Sequence, residues 1–348
     1  MIHRAACYAM GTRFEIVLGG SDPARLQTIA QHILSEITHW HDRLSLFKRD
    51  SFLSFLNERA HAAPVPLEPD LYHLLSVCTC VHADSDGAFD PTVGGLMAGL
   101  GLHEESTAPA RSISTGGPAP GMGAVELDHE RRTVRFTRPG IALDLGSVAK
   151  GFALDLAAAH LRSFGIQHAM VHGGTSSIVA MGSASESESD AGWRIALGPG
   201  EDALVLTLCD GALSFSAPHG RSVAGPDGRS RITHIIDPRT GTPASDVVFA
   251  AAVASAITGN AVDPWPATRC EAWSTALVVL GRRPASMPDT LTSVLAFGEP
   301  GGPDRQKREV GEVERRWSVE GPHRPFIATP SPPKPRVPSG PRFEGSKE

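Results

Sequence analysis

The spacing of apolar residues changes period several times along the chain. Phe14, Ile16 and Leu18 alternate, which predicts a strand over residues 13–18, and Ser21-Asp22-Pro23 then supplies a cap with proline in the first helical turn. Leu26, Ile29, Ile33, Leu34 and Ile37 recur at helical spacing and carry that helix to about His41. A second helix opens near Pro69-Asp70, with Leu71, Leu74, Leu75 and Cys78 on its inner side. From Ala124, AVELD and TVRFT flank a polar turn and predict a hairpin. The stretch IALDLGSVAKGFALDLAAAHLRSFG reads as strand, tight turn and helix, with Ala149, Phe152, Ala153, Leu156 and Leu161 on one side and a stop at Gly165, where a left-handed cap favours glycine. Short strands are predicted around 168–172, 193–197, 204–208, 211–216, 249–256 and 292–298, with one more helix over roughly 267–280. Hairpins mixed with segregated helices predict an α+β fold with mixed or antiparallel sheets flanked by helices.

After Gly298 the text turns to proline and charge with little apolar periodicity, so residues 1–298 read as one domain and 299–348 as a disordered tail. Composition narrows the class further. The chain of 348 residues is 41% hydrophobic and 20% charged with a net charge of -6, and it has no long run of Lys or Arg, so nucleic-acid binding is not expected. Five scattered cysteines fit free thiols in a reducing compartment, and the two-residue spacing of Cys78 and Cys80 in a helix points them apart. No apolar run has the length of a signal-peptide core or a membrane span, which makes the cytoplasm the expected location.

Four segments carry candidate chemistry. Asp144-Leu145-Gly146-Ser147-Val148-Ala149-Lys150-Gly151 places a carboxylate, a glycine turn, a helix start and a lysine together, and amides at a helix start attract phosphate, although the segment is not a Walker A loop. Glu271-Ala272-Trp273-Ser274-Thr275 puts three side-chain oxygens on or beside one helix face, either a partial shell for Mg²⁺ or an exposed glutamate beside a capping pair. His234-Ile235-Ile236-Asp237-Pro238-Arg239-Thr240-Gly241 ends a short strand in a turn, and Gly173-Gly174-Thr175-Ser176-Ser177 forms a loop of amides and hydroxyls. Zincin spacing and the G-x-S-x-G elbow are both absent from the sequence.

Taken in their order along the chain, and together with Met10-Gly11-Thr12, Leu44-Ser45-Leu46-Phe47 and the run from Asp86 to Gly94, these segments resemble the ApbE family of FAD:protein FMN transferases over Met10 to about Gly281. The resemblance implies that Met10, Phe47, Ala88, Phe89 and Asp90 hold the flavin part of FAD, and that Asp144, Lys150, His234 and Ile235 complete the pocket. It implies Mg²⁺ between the turn at Ser147, through its carbonyl, and Glu271, Ser274 and Thr275, with Glu271 standing where the family usually has aspartate. The implied reaction is in-line attack by a Ser or Thr of an acceptor flavoprotein, marked by a D-x-x-[ST]-G-A-[ST]-like motif, on the FMN-side phosphorus of FAD, with AMP released. Asp144 and His234 are the candidate bases. An FAD pyrophosphatase and a non-catalytic flavin-binding protein are the alternatives that share this pocket.

Overall fold

The architecture below is that of a computed structural model, which describes residues 1–103, 117–184, 192–197, 204–218, 222–224, 231–244, 247–255, 257–258, 261–297 and 316–321. Its centre is an eight-stranded sheet in the order Ile2–Ala9, Thr12–Gly19, His168–Gly173, Ser177–Met181, Gly211–Ser216, Val247–Ser255, Leu291–Phe297 and Arg316–Glu320, every neighbour antiparallel. The helices are α1 (Pro23–Arg43), α2 (Phe52–Arg59), α3 (Pro69–Asp84), α4 (Gly94–Gly99), α5 (Ala149–Ser163) and α6 (Pro266–Leu280). α1, α5 and α6 pack on one face of the sheet, and a hairpin of Trp193–Leu197 and Leu204–Leu208 covers part of the other. The predicted α+β class is what the chain adopts.

Two cores follow from the two-residue period of a strand covered on both faces. On Val247–Ser255, Ala250, Ala252 and Ala254 belong to the cluster under the helices, whereas Phe249, Ala251 and Val253 belong to the cluster under the hairpin with Trp193, Ile195 and Leu206. The alanines on the helix side leave room for α6 to lie close to the strand. α5 approaches α6 more closely still: a Cβ on Gly151 would stand 2.4 Å from the carbonyl oxygen of Ala267, so only glycine fits there.

The predicted helices are observed within two residues of their expected ends, and Leu71, Leu74, Leu75 and Cys78 are buried while Cys80 is exposed. Two expectations need correction. The segment 141–145 is not a strand: it makes a single parallel bridge, Val93 with Ala142. Its backbone is satisfied elsewhere, since the Asn57 side chain donates to Leu143 O at 2.9 Å and accepts from Leu143 N at 2.8 Å, and Asp144 N donates to Pro91 O at 2.7 Å. Within the tail expected to be disordered, Arg316–Glu320 pairs with Leu291–Phe297 at the sheet edge, an interaction made by the backbone and therefore weakly marked in side-chain pattern. The remainder of 299–348, apart from Gly321, lies outside the described residues.

Candidate active site

The site is built where α5 and α6 meet the sheet. α6 has proline in its first turn and no side-chain cap from its own residues. Asp155, on α5, supplies one: its carboxylate accepts from Ala267 N at 2.9 Å, Thr268 N at 2.7 Å and Thr268 Oγ1 at 2.6 Å. One turn further along α6, Glu271 reaches back and its Oε2 accepts from Gly151 N, one of the amides that the start of α5 leaves without a partner. The two helices thus cap one another, and that exchange fixes the depth at which Glu271 sits.

Glu271 is 3% exposed, so the alternative of a solvated glutamate beside a capping pair is excluded. Its Oε1 pairs with the Lys150 ammonium and accepts from Ser177 Oγ at 3.2 Å. Ser177 belongs to a row that crosses the sheet, Phe14, Gly173, Ser177, Ser214, Ala252 and Ser293, each directly opposite the next. Ser214 Oγ is 3.3 Å from Ser177 Oγ, so hydroxyls floor the carboxylate. Gly173 is required in that row because a Cβ would come within 2.8 Å of the Phe14 ring. Ser216, two residues beyond Ser214, places its hydroxyl 2.8 Å from Ser274 Oγ and 3.4 Å from Thr275 Oγ1, and both of those hydroxyls donate to Glu271 O. Ser147 lies one turn before Gly151, in the bend that leads into α5.

A second group of residues sits on loops. Asp144 Oδ1 accepts from Gly146 N at 2.8 Å, and its Oδ2 is 2.9 Å from His103 Nε2. The His103 ring meets Phe47 edge to face at 6.1 Å, while Phe47 is 40% exposed. Ala88 and Phe89 are fully buried, backbone and side chain alike. Asp90 is buried too. Its Oδ1 takes Thr92 N and Thr92 Oγ1 at 2.8 and 2.7 Å, and its Oδ2 faces His82 Nε2 at 3.8 Å. Burial pushes the Asp90 carboxyl above its ordinary value, against the pull of the Thr92 hydrogen bonds and of His82. These contacts make Asp90 the clasp of the 88–92 loop.

The His234–Gly241 run is tied to that clasp through residues 117–122: Gly121 N donates to Thr92 Oγ1 at 2.9 Å, and Ala119 N to Pro238 O at 2.7 Å. Ile235 is buried and His234 half-buried. Asp237 binds Arg239 through three hydrogen bonds; burial acts to raise its pKa, but those bonds prevail and hold the carboxyl below the usual range. Met10 is joined less directly. It turns the first hairpin with Gly11, both at positive φ, and its N–H donates to His41 Nδ1 at 3.1 Å. The Gly174 loop lies against Thr12, which puts this hairpin end beside the sheet end that holds Ser177.

The structure therefore brings Lys150, Glu271, Ser274 and Thr275 into one cluster, with Asp144 and Phe47 joined through His103, and it links Asp90 to the His234 run by way of a loop. Sequence reasoning missed His103, Ser216, Asp155, Thr92 and His82. Among these only Ser216 lies in a stretch whose hydroxyl content marks it, and His103 has no local signal.

The model of the ApbE family matches residues 10–287. This chain belongs to the ApbE family. Relatives that bear the name FAD:protein FMN transferase include those of Rhodobacter capsulatus (29% identical, covering 69% of this chain and 46% of that protein), Chlamydia trachomatis (29%, covering 67% and 72%) and Klebsiella pneumoniae (25%, covering 78% and 77%). The chain thus spans about half the length of the Rhodobacter relative and about three quarters of the other two. Its fold resembles the ApbE protein of Thermotoga maritima, at 24% identity and a TM-score of 0.70 over 85% of this chain and 94% of that one. The flavin transferase ApbE of Vibrio cholerae superposes at 21% identity and a TM-score of 0.68 over 94% of this chain and 100% of that one. Among the described residues no helix is long and apolar enough to cross a membrane.

Proposed function

We propose that this ApbE-family chain is a Mg²⁺-dependent FAD:protein FMN transferase, which joins FMN through a phosphoester to a Ser or Thr of an acceptor flavoprotein with release of AMP. The observation that carries the reading is the meeting of Lys150, Glu271, Ser274, Thr275 and Ser216 at the start of α5, inside the segment that the family model matches. A pyrophosphate needs cations, and this is where the chain places the Lys150 ammonium beside a set of oxygen donors.

The donor chemistry there fits a hard cation. Glu271 offers a carboxylate, Ser274 and Thr275 offer hydroxyls, and the turn at Ser147 offers a carbonyl, an all-oxygen set with a single carboxylate of the sort Mg²⁺ uses when substrate phosphates complete its shell. Lys150 now pairs with Glu271 Oε1, so its ammonium would swing toward the pyrophosphate when a cation takes that oxygen. Mg²⁺, when bound, neutralises charge on the pyrophosphate oxygens.

The chain's own residues divide the remaining work. Lys150 binds and orients the phosphates. Phe47, Met10 and the loop that carries Ala88 and Phe89 take the isoalloxazine, with Asp90 holding the 88–92 loop in shape through Thr92. Ile235 and His234 close the far side, and Asp144 and His234 are the candidate bases for the acceptor hydroxyl.

The test is incubation of the full chain with FAD, Mg²⁺ and a peptide containing D-x-x-[ST]-G-A-[ST], read by mass spectrometry. An FMN-sized mass gain that vanishes in Glu271→Ala supports the transferase. Consumption of FAD to FMN and AMP without an adduct would favour a pyrophosphatase, and intact FAD would favour a flavin-binding protein.

A further inference from the structure

We propose that His103 is a catalytic residue of the transfer: the general base that takes the acceptor hydroxyl's proton on Nδ1, while Asp144 holds the ring through Nε2. This rests on the transferase reading and assigns a residue to a role that the family resemblance leaves between Asp144 and His234.

Asp144 is poorly placed to receive a proton itself. Its Oδ1 is engaged by Gly146 N at 2.8 Å, its Oδ2 by His103 Nε2 at 2.9 Å, and its backbone N–H is anchored on Pro91 O at 2.7 Å. What this arrangement does is set a tautomer. An ionised carboxylate only accepts hydrogen bonds, so Nε2 carries the hydrogen and Nδ1 keeps the lone pair. Among the described residues Nδ1 has no hydrogen-bond partner. The pair is sheltered, with side chains 10% and 16% exposed, and one flank of the ring meets Phe47, the aromatic assigned to the flavin. A carboxylate that orients and an imidazole that moves the proton is the division of labour that serves hydroxyl nucleophiles in Ser-His-Asp sites. Asp144 is the one carboxylate within ion-pair distance of the ring among the described residues, and Phe47 on the other side is uncharged.

The step balances without redox change. The acceptor oxygen forms a bond to the FMN-side phosphorus as the bond from that phosphorus to the bridging oxygen breaks. The hydroxyl proton passes to His103 Nδ1, and the electron pair of the broken bond leaves on the phosphate of AMP. Solvent then takes the proton from His103.

The experiment uses the full chain with FAD, Mg²⁺ and the acceptor peptide under single-turnover conditions, with His103→Gln, His103→Gly and His234→Gln beside the unaltered protein. His103→Gln is expected to slow transfer by about 10²- to 10³-fold, to bind FAD and melt as the unaltered chain does, and to lose the acid limb of the pH–rate profile. Added imidazole is expected to restore transfer in His103→Gly. A His103→Gln rate within about threefold of the unaltered chain overturns the assignment, being far below the loss a general base leaves. Loss without imidazole rescue, or an acid limb that persists in His103→Gln and disappears in His234→Gln, overturns it as well. If the unaltered chain forms no adduct, the transferase reading falls and this assignment with it. An adduct from the unaltered chain, undiminished in His103→Gln, removes this assignment alone.

Discussion

The seam between α5 and α6 and the loops around Asp144 and Asp90 are both polar, yet they are held in different ways. In the seam both carboxyl groups are buried and answered: Glu271 by Lys150, Ser177 and Gly151 N, and Asp155 by the first amides of α6. The groups come from helices and central strands, so their geometry is set by the fold before any ligand arrives. On the loop side Phe47 is 40% exposed, and Asp144, His103 and Arg239 are fixed by local turns and by hydrogen bonds within the loops. On the proposed function, charge handling is thus built into the scaffold, and recognition falls to loop segments. Substitutions in the seam should cost stability and activity together, whereas those on the loops should change binding or rate and leave the fold intact.

Glu271→Ala should give the largest effect. It leaves the half-buried Lys150 ammonium and the buried Gly151 amide without their partner, and breaking a largely buried pair in this way costs about 3 kcal/mol. Thermal unfolding should report the loss of stability, and the peptide assay should show no adduct. If Glu271→Ala melts like the unaltered chain, the seam is not the preorganised unit described here. Asp155→Ala comes next. It touches no candidate ligand, yet it strips the cap from α6 and orphans two amides and a hydroxyl, for an expected loss of about 2–3 kcal/mol. Denaturant unfolding measures it directly, and transfer activity below the new melting point should fall far less than in Glu271→Ala.

These two carboxylates also mark what could be read from the sequence and what could not. The helices α1, α3, α5 and α6 were legible because their apolar spacing is local, and the family was legible because the order of its segments along the chain matches. Glu271 was identified as a candidate ligand, but its burial was not, since that depends on Asp155 and Gly151 more than a hundred residues away. Asp155 itself reads as one polar position in an amphipathic helix. The segment 141–145 carries the hydrophobic pattern of a strand, and the side chain of Asn57, 86 residues earlier, takes the hydrogen bonds a neighbouring strand would have made. His103 stands in a stretch with no motif at all and gains its interest only from the 2.9 Å contact with Asp144.

On the loop side, Phe47→Ala should weaken FAD binding by about tenfold, the scale of one aromatic contact, and move stability by no more than ~0.5 kcal/mol. Titration of FAD by fluorescence quenching, run beside a thermal melt, separates the two quantities. A large drop in melting temperature with unchanged FAD affinity would place Phe47 in the scaffold and erase the contrast between the regions.

The smallest expected effect concerns Asp237 and Arg239, at the turn that follows His234. Burial acts to raise the Asp237 carboxyl, but the Arg239 guanidinium and backbone amide hold it below its ordinary value, so the folded protein binds this proton less readily than the unfolded chain does. The contribution to stability is therefore complete above the unfolded carboxyl value, near pH 4, and is lost as pH falls through the lower folded value. Arg239→Met removes the side-chain partner and should leave stability between pH 5 and 8 nearly unchanged apart from a modest constant loss, because Arg239 is partly exposed and its pair is screened. The difference between the two proteins should shrink on acidification below pH 4, as Asp237 becomes protonated in both. Urea unfolding at stepped pH values reads this directly. A difference that grows toward acid pH would mean that Asp237 ionises more easily in folded Arg239→Met than in the unaltered fold, so that Arg239 would not be what holds the carboxyl low.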